Sequence, residues 1–392
     1  MDSVRLGVVG ATGGMATAHR QYFEKIDGLV YAAAADRNAD KLAAFAEETG
    51  VATFTDPQAM VDSGTIDALM VVTPHPFHPA LCAMGLRAGL HVLCEKPVAV
   101  TAKEAAELNA VYEETSKAHP GQLFAGMLNQ RDRPDWRCVK RLCSDGSVGE
   151  LIRVSWHICD WFRSQTYYDS GGWRATWAGE GGGVLMNQAP HNLDLLQWFV
   201  GMPSRVTANV GLGRHHDIEV EDEVTALLEY GHGAVGTFVT STGQGPAINR
   251  LEIVGQNGTV IADGGKLTFL RNHTTVREFI RTSEDGFADV PHDRMDVTPG
   301  GETLHHEAIT RNFVETIRAG GTQDELIGPG PEMIHGLELG NAMLLSGLEQ
   351  RPVDLPTDRD AWAAKLEELK QNSTFKKPEP SGKARLNFGG TF

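Results

Sequence analysis

Lys96, immediately before Pro97, and His191, in the pattern Asn187-x-x-x-His191-x-x-Asp194, are the side chains best suited to handle protons in this sequence. The ordinary pKa of histidine lies near neutrality, so His191 can accept or return a proton at working pH. A lysine ammonium donates to a substrate oxygen and stabilises negative charge that develops there. Pro97 holds the backbone of Lys96 extended and so restricts where its side chain points. The spacing i, i+4, i+7 predicts Asn187, His191 and Asp194 on one face of a helix over 184–200. Taken alone, a helical histidine is more often a satisfied core or surface group, and a lone lysine reads as a surface one. Their surroundings decide between these readings.

The first apolar run ends in Gly10-Ala11-Thr12-Gly13-Gly14-Met15-Ala16. Where a strand turns into a helix, glycines let the backbone approach a pyrophosphate, and the free N–H groups of the helix bind the anion. The strict G-x-G-x-x-G spacing is not met, because Thr12 and Met15 stand where glycine is expected. A tight turn in another α/β fold is the competing reading. Asp36 closes the second apolar run, about 20 residues beyond the loop, where an acidic side chain accepts from the adenosine ribose and repels a 2′-phosphate. This favours NAD over NADP, although the adjacent Arg37 could bind a phosphate; a solvated turn carboxylate is the alternative for Asp36. Ligands of open parallel sheets sit at the carboxyl ends of strands. Those ends carry Thr73, Pro74, His75 and His78, then Glu95 and Lys96, then Asn129. With Gly10, Thr12, Gly13, Gly14, Met15, Asp36 and Arg37 they form the expected cofactor-binding set.

Between Asp160 and Trp177 the chain interleaves aromatic rings with Arg, Gln and Thr. Rings pack on the C–H face of a polyol while polar groups hold its hydroxyls, so Arg163, Tyr168, Trp173 and Arg174 are expected to join Lys96, Asn187 and His191 around a substrate. A loop anchored by its own aromatics is the alternative. The histidine pairs His215-His216 and His305-His306 lack the cysteine or carboxylate cluster that would complete metal-ligand spacing, so no metal is expected and solvated or capping roles are assigned to them.

These residues need elements to position them. Short apolar runs at Val4–Val9, Leu29–Ala35, 68–72, His91–Cys94 and 123–127 alternate with helical stretches, one of them capped by Thr101. Such unalternating strands predict a parallel sheet covered on both faces. After Gly149 the pattern becomes period-two, at Leu151–Ile158, Arg205–Leu212, 223–229, 234–240, 250–254 and 259–262, which predicts antiparallel pairing. Late helices are expected over 303–319 and 331–349. The predicted fold class is an α/β N-terminal Rossmann domain plus an α+β C-terminal domain with a large, mostly antiparallel open sheet. The domains are placed at 1–130 and 131–372. The Gly/Lys/Pro-rich tail over 373–392 reads as a loose arm able to wrap a neighbouring subunit.

At 392 residues the chain exceeds one ordinary core. Its net charge of −16, from 35 Lys plus Arg against 51 Asp plus Glu, repels phosphate backbones and anionic membranes, so no nucleic-acid or membrane partner is expected. Five scattered cysteines without a C-x-x-C pair read as reduced thiols. No apolar run approaches the ~20 residues of a membrane span, and the start leaves no room for a signal peptide. A cytoplasmic protein is expected.

The strings VTPHPFHPALCAMGLRAGLHVLCEKPVAVT and GEGGGVLMNQAPHNLDLLQWFVG resemble the two signatures of the glucose–fructose oxidoreductase / inositol dehydrogenase / MocA (Gfo/Idh/MocA) family, over most of residues 4–356. The first holds T-P-x-x-x-H and E-K-P; the second has the form G-G-G-x-x-x-[DN]-x-x-x-H-x-x-D. The glycine loop departs from the common family form by one extra residue and by Ala16 at the last glycine. The resemblance implies that Lys96 and His191 converge beside the nicotinamide, with His191 taking the hydroxyl proton as hydride leaves the same carbon. Many members carry Asp where Asn187 stands; Asn can orient by hydrogen bonding but cannot raise a histidine pKa by charge. An NAD-dependent dehydrogenase of a sugar, glycoside or inositol hydroxyl is therefore expected, as a homodimer or homotetramer packed through the open sheet. Two alternatives stay open: a redox-neutral glycosidase or lyase that retains NAD, and a non-catalytic dinucleotide sensor, against which Lys96 and His191 argue.

Overall fold

The computed structural model describes residues 1–377. Six strands, β1 (Val4–Val9), β2 (Leu29–Ala35), β3 (Ala52–Phe54), β4 (Ala68–Val71), β5 (His91–Cys94) and β6 (Phe124–Gly126), form one all-parallel sheet in the order β3-β2-β1-β4-β5-β6. The order reverses between β1 and β4, which opens a crevice at their carboxyl ends. The strands are buried on both faces, as Ala33, Ala34, Leu69, Met70, Val92 and Leu93 show. Strand β3 escapes periodicity because it is three residues long and lies at the sheet edge. The helix Ala102–Ala118 starts at Thr101, as expected, in a reciprocal capping box with Glu104.

The second sheet has nine strands: β7 (Leu151–Ile158), β8 (Arg205–Leu212), β9 (Glu221–Glu229), β10 (Val235–Ser241), β11 (Asn249–Gly255), β12 (Gly258–Asp263), β13 (Lys266–Asn272), β14 (His292–Val297) and β15 (Val353–Asp354). All pairings are antiparallel except β7 with β10. One face is covered by the helix Met333–Glu349; on the other, Thr225 and Leu227 of β9 are exposed while Val224, Ala226 and Leu228 between them are buried. Strand β14 (HDRMDV) has no buried residue, so no alternation marks it in the sequence. The helix His306–Ala319 returns to the first sheet, where Ile309, Phe313, Val314 and Ile317 join its core.

Two expectations need correction. The predicted helix over 184–200 is two helices, Val184–Asn187 and Pro190–Val200. Pro190 has no N–H to continue the ladder and is suited to a first turn. Asn187 therefore ends one helix and His191 begins the next, and they do not share a continuous face. The tail does not leave as an arm at Ser373: the Ser373 hydroxyl donates to Glu219, and the Lys377 ammonium donates to the carbonyl oxygens of Tyr168 and Arg174. Residues 378–392, where the rest of that arm was expected, lie outside the described residues. A further helix, Arg359–Asn372, precedes the tail. Among the described residues no helix is long and apolar enough to cross a membrane, and the five cysteines are free thiols.

Candidate active site

The glycine loop runs from β1 into the helix Gly14–Phe23. Gly10 has φ of +82°, and a Cβ there would lie 2.5 Å from the carbonyl oxygen of Val72. Only glycine suits that position. Gly13 caps the helix without a side-chain bond, so its first-turn N–H groups face outward for an anion. Gly10→Ala is expected to destabilise the fold by about 1–3 kcal/mol through backbone strain and to weaken NADH binding. Thermal unfolding and NADH fluorescence titration check both.

Asp36 lies at the end of β2, beside the loop. Its Oδ2 accepts from the backbone N–H and hydroxyl of Thr12 at 3.0 and 2.7 Å, and Oδ1 accepts from the N–H of Asn38. Burial opposes ionisation, but these bonds outweigh it and hold the carboxyl below its usual range. Arg37 points outward, exposed. Thr12 is what ties the loop to Asp36.

At the ends of β1, β4 and β5 the side chains converge on one cavity of about 320 Å³. Gly13, Gly14, Met15, Thr73, Pro74, His75, Glu95 and Lys96 line it from the first sheet. Asn187, His191, Arg163, Trp173 and Arg174 line it from the other side. The buried atoms Thr73 Oγ1, His75 Nδ1 and Asn129 Oδ1 have no hydrogen-bond partner among the described residues. An uncapped helix N-terminus that opens on Gly13 and Gly14 and unpaired polar atoms at strand ends together fit a dinucleotide.

Two sequence-assigned residues serve elsewhere. His78 is buried behind the cavity, its ring nitrogens 2.7 and 2.6 Å from the carbonyl oxygens of Pro97 and Thr73, so it ties the two strand-end loops together. Tyr168 is buried under the aromatic loop with its hydroxyl 2.7 Å from Thr242. Its neighbour Tyr167 faces the cavity instead. Strict alternation along a loop cannot be assumed, and the Tyr-Tyr pair carries no signal of which ring faces in.

Lys96 Nζ donates to the backbone oxygen of Asn187 at 2.8 Å and to its Oδ1 at 3.5 Å. Burial pulls the ammonium below the usual lysine range, against Glu95 and Glu180, which raise it. Glu95 Oε1 accepts from His19 at 2.7 Å and Oε2 from the Lys96 N–H at 3.0 Å. Burial opposes its charge, yet His19 and the neighbouring cations hold it well below the carboxylate range. Burial first, then the charges of Lys96 and His306, push His191 far below its usual range, leaving a neutral ring. The helix that carries His191 is clamped by Arg131, whose guanidinium donates to both oxygens of Asp194 at 2.8 and 2.7 Å, all buried.

Besides Tyr167, Trp161 and Gln188, which line the cavity, Glu180 and His306 were not foreseen. Glu180 is buried, receives the Asn187 amide and the N–H of Ala175, and lies 3.9 Å from Arg174. Burial raises its pKa, with Arg174 opposing. Its place directly before Gly181-Gly182-Gly183 was the available signal. His306 lines the cavity rather than being solvated, and accepts from Asn129 Nδ2 at 3.2 Å. Its partner His305 points away, at the cap of the helix. Likewise His216 bridges Asp222, at 2.9 Å, and the carbonyl of Arg163, at 2.8 Å, so it anchors the aromatic loop. Among the described residues no His, Cys, Asp and Glu group is arranged to hold a metal ion.

The triple glycine owes its composition to close approach: a Cβ on Gly183 would collide with the carbonyl oxygen of Glu221. The Glu221 carboxyl accepts from the N–H groups of Gly183 and Leu185 at 2.7 and 3.0 Å. Burial pushes it up to about 7 from an ordinary 4.5. Between those values the unfolded chain ionises while the folded one stays protonated, so stability falls as pH rises, by about 3 kcal/mol. Glu221→Gln should flatten that decline, as urea denaturation at pH 4.5 and 7 would show.

A family model described as an oxidoreductase family with an NAD-binding Rossmann fold matches residues 4–120, and the GFO/IDH/MocA C-terminal domain matches residues 136–261. The chain belongs to the Gfo/Idh/MocA family. Membership makes it an oxidoreductase with an NAD-binding first domain. The levoglucosan dehydrogenase of Pseudarthrobacter phenanthrenivorans is 24% identical over 400 residues, spanning 91% of this chain and 99% of that protein. The myo-inositol 2-dehydrogenase of Thermotoga maritima is 25% identical over 276 residues, 68% of this chain and 77% of that one. Among solved structures, the WlbA dehydrogenase of Bordetella pertussis, in complex with NADH and UDP-GlcNAcA, superimposes with a TM-score of 0.74 at 26% identity, covering 91% of this chain and all of that one.

Proposed function

We propose that the protein is an NAD-dependent dehydrogenase or reductase that transfers a hydride between nicotinamide and a secondary alcohol carbon of a sugar, glycoside or inositol. The observation that carries this reading is that Lys96 and His191 line the same cavity as the uncapped glycine loop. The sugar and inositol dehydrogenases among its relatives support the substrate class.

A bound nicotinamide supplies the hydride acceptor. The remaining work falls to the chain. Lys96 donates to the reacting oxygen and offsets the charge that grows on it as the proton leaves. His191, neutral because it is buried, takes that proton. Asn187 holds Lys96 through its carbonyl and amide oxygens and is itself held by Glu180 and Tyr167. Trp173 stacks edge-on with His75 at 5.4 Å, forming an apolar wall beside the polar groups. Asp36 selects NAD by accepting from the adenosine ribose. We also propose a cytoplasmic homodimer or homotetramer packed through the open face of the second sheet.

The test is NADH formation with inositols, pyranoses and glycosides, run with NAD and NADP. NAD reduction with one class supports the reading. Product appearing by chromatography without net NADH overturns it in favour of a redox-neutral cycle. Asp36→Ala should weaken NAD binding by about tenfold, through loss of charged hydrogen bonds, and narrow its advantage over NADP. Comparing kcat/KM for the two cofactors measures this.

A further inference from the structure

The chain carries a net charge of −16, yet three cations, Lys96, Arg163 and Arg174, line the cavity. Arg163 and Arg174 flank one ring: their guanidinium carbons lie 5.1 and 4.7 Å from the centroid of Tyr167. Arg174 has a carboxylate nearby, Glu180 at 3.9 Å. Arg163 donates only to the backbone carbonyls of Trp161 and Phe162, and its Nε is buried without a hydrogen-bond partner among the described residues. Lys96 donates to neutral oxygens of Asn187; an aspartate there would have given it a direct carboxylate. Glu95, the only acidic side chain among the described lining residues, is committed to His19 and to the Lys96 N–H. Like charges gathered in a partly desolvated site repel unless an anion joins them. A guanidinium fork matches the two oxygens of a carboxylate.

We propose that the substrate is a sugar acid, an aldonate or uronate of monosaccharide size, whose carboxylate is bound by Arg163 with Arg174 in support while its hydroxyl faces Lys96 and His191. This rests on the hydride-transfer reading above. The carboxylate is unchanged by the reaction; it orients the sugar and sets selectivity. A cavity of about 320 Å³, part of which the nicotinamide ring must occupy, suits one sugar unit rather than a longer glycan.

The experiment titrates NADH-loaded protein calorimetrically with glucuronate, galacturonate and gluconate, and with glucose, galactose, myo-inositol and glucose 6-phosphate, and follows NAD reduction with the same compounds. At least one acid is expected to bind tenfold or more tightly than its neutral counterpart. Arg163→Gln should remove that advantage with NADH binding retained, and Arg163→Lys should restore part of it. Neutral sugars that bind as well as the acids overturn the proposal, as does a preference for the phosphate over every acid. NAD reduction by a neutral sugar and by no acid also overturns it, while leaving hydride transfer standing. Tight, Arg163-dependent binding of an acid without NAD reduction supports the anion site and counts against hydride transfer instead.

Discussion

Lys96→Met is expected to lower kcat by on the order of 10²–10³-fold while NADH still binds, the loss typical of removing one donor to a developing oxyanion. Methionine keeps the length of the side chain and removes only the charge and the donors. The Asn187 carbonyl, which accepts from Lys96 at 2.8 Å, loses that partner. Because the ammonium must be charged to act, and burial lowers its pKa from the ordinary 10.5, the alkaline limb of the rate profile should fall below that value and disappear in the variant. Steady-state rates from pH 6 to 11, with NADH fluorescence titration as the control, check both statements. A loss under tenfold would remove Lys96 from the chemistry.

His191→Asn should cost about 10²–10⁴-fold in kcat/KM, the usual contribution of a positioned general base. Asparagine keeps a polar side chain of short reach but cannot take a proton at working pH. The sign of the pH dependence follows from the environment: burial and the adjacent cations disfavour the imidazolium. The neutral, proton-accepting ring therefore persists to lower pH than an ordinary histidine, and the acid limb of the wild-type profile should lie below 6.5. An acid limb at or above that value, or one unchanged in His191→Asn, would show that another group takes the proton. His306, in the same cavity, is the first to examine.

Much of this architecture was legible from local chemistry. The strands Val4–Val9, Leu29–Ala35, His91–Cys94, Leu151–Ile158 and Arg205–Leu212 were placed at their observed bounds because each is a short run with a one-sided or two-sided apolar pattern. Thr101 announced its helix through a bond made within one turn. The place of the glycine loop, Asp36 and Lys96-Pro97 at strand ends was equally readable, since residue type and neighbours along the chain suffice for it.

Other features depend on partners distant in sequence. Asn187 and His191 sit on separate helices, the first joined to Lys96 through the Asn187 carbonyl and the second fixed by Arg131, 63 residues before Asp194 in the chain. His306 reaches the cavity only because an amphipathic helix finds its core on the first sheet. Glu180 is a functional candidate because burial and Asn187 meet it, and Tyr167 faces inward where Tyr168 does not because Thr242 claims the latter. Strand β14 pairs through backbone groups, which every sequence carries alike. Periodicity and short motifs report what a residue does with neighbours a few positions away. The charge imbalance of the cavity, the neutrality of His191 and the choice of which ring lines the wall arise from desolvation and long-range contacts, and those exist only once the two sheets and their helices have packed.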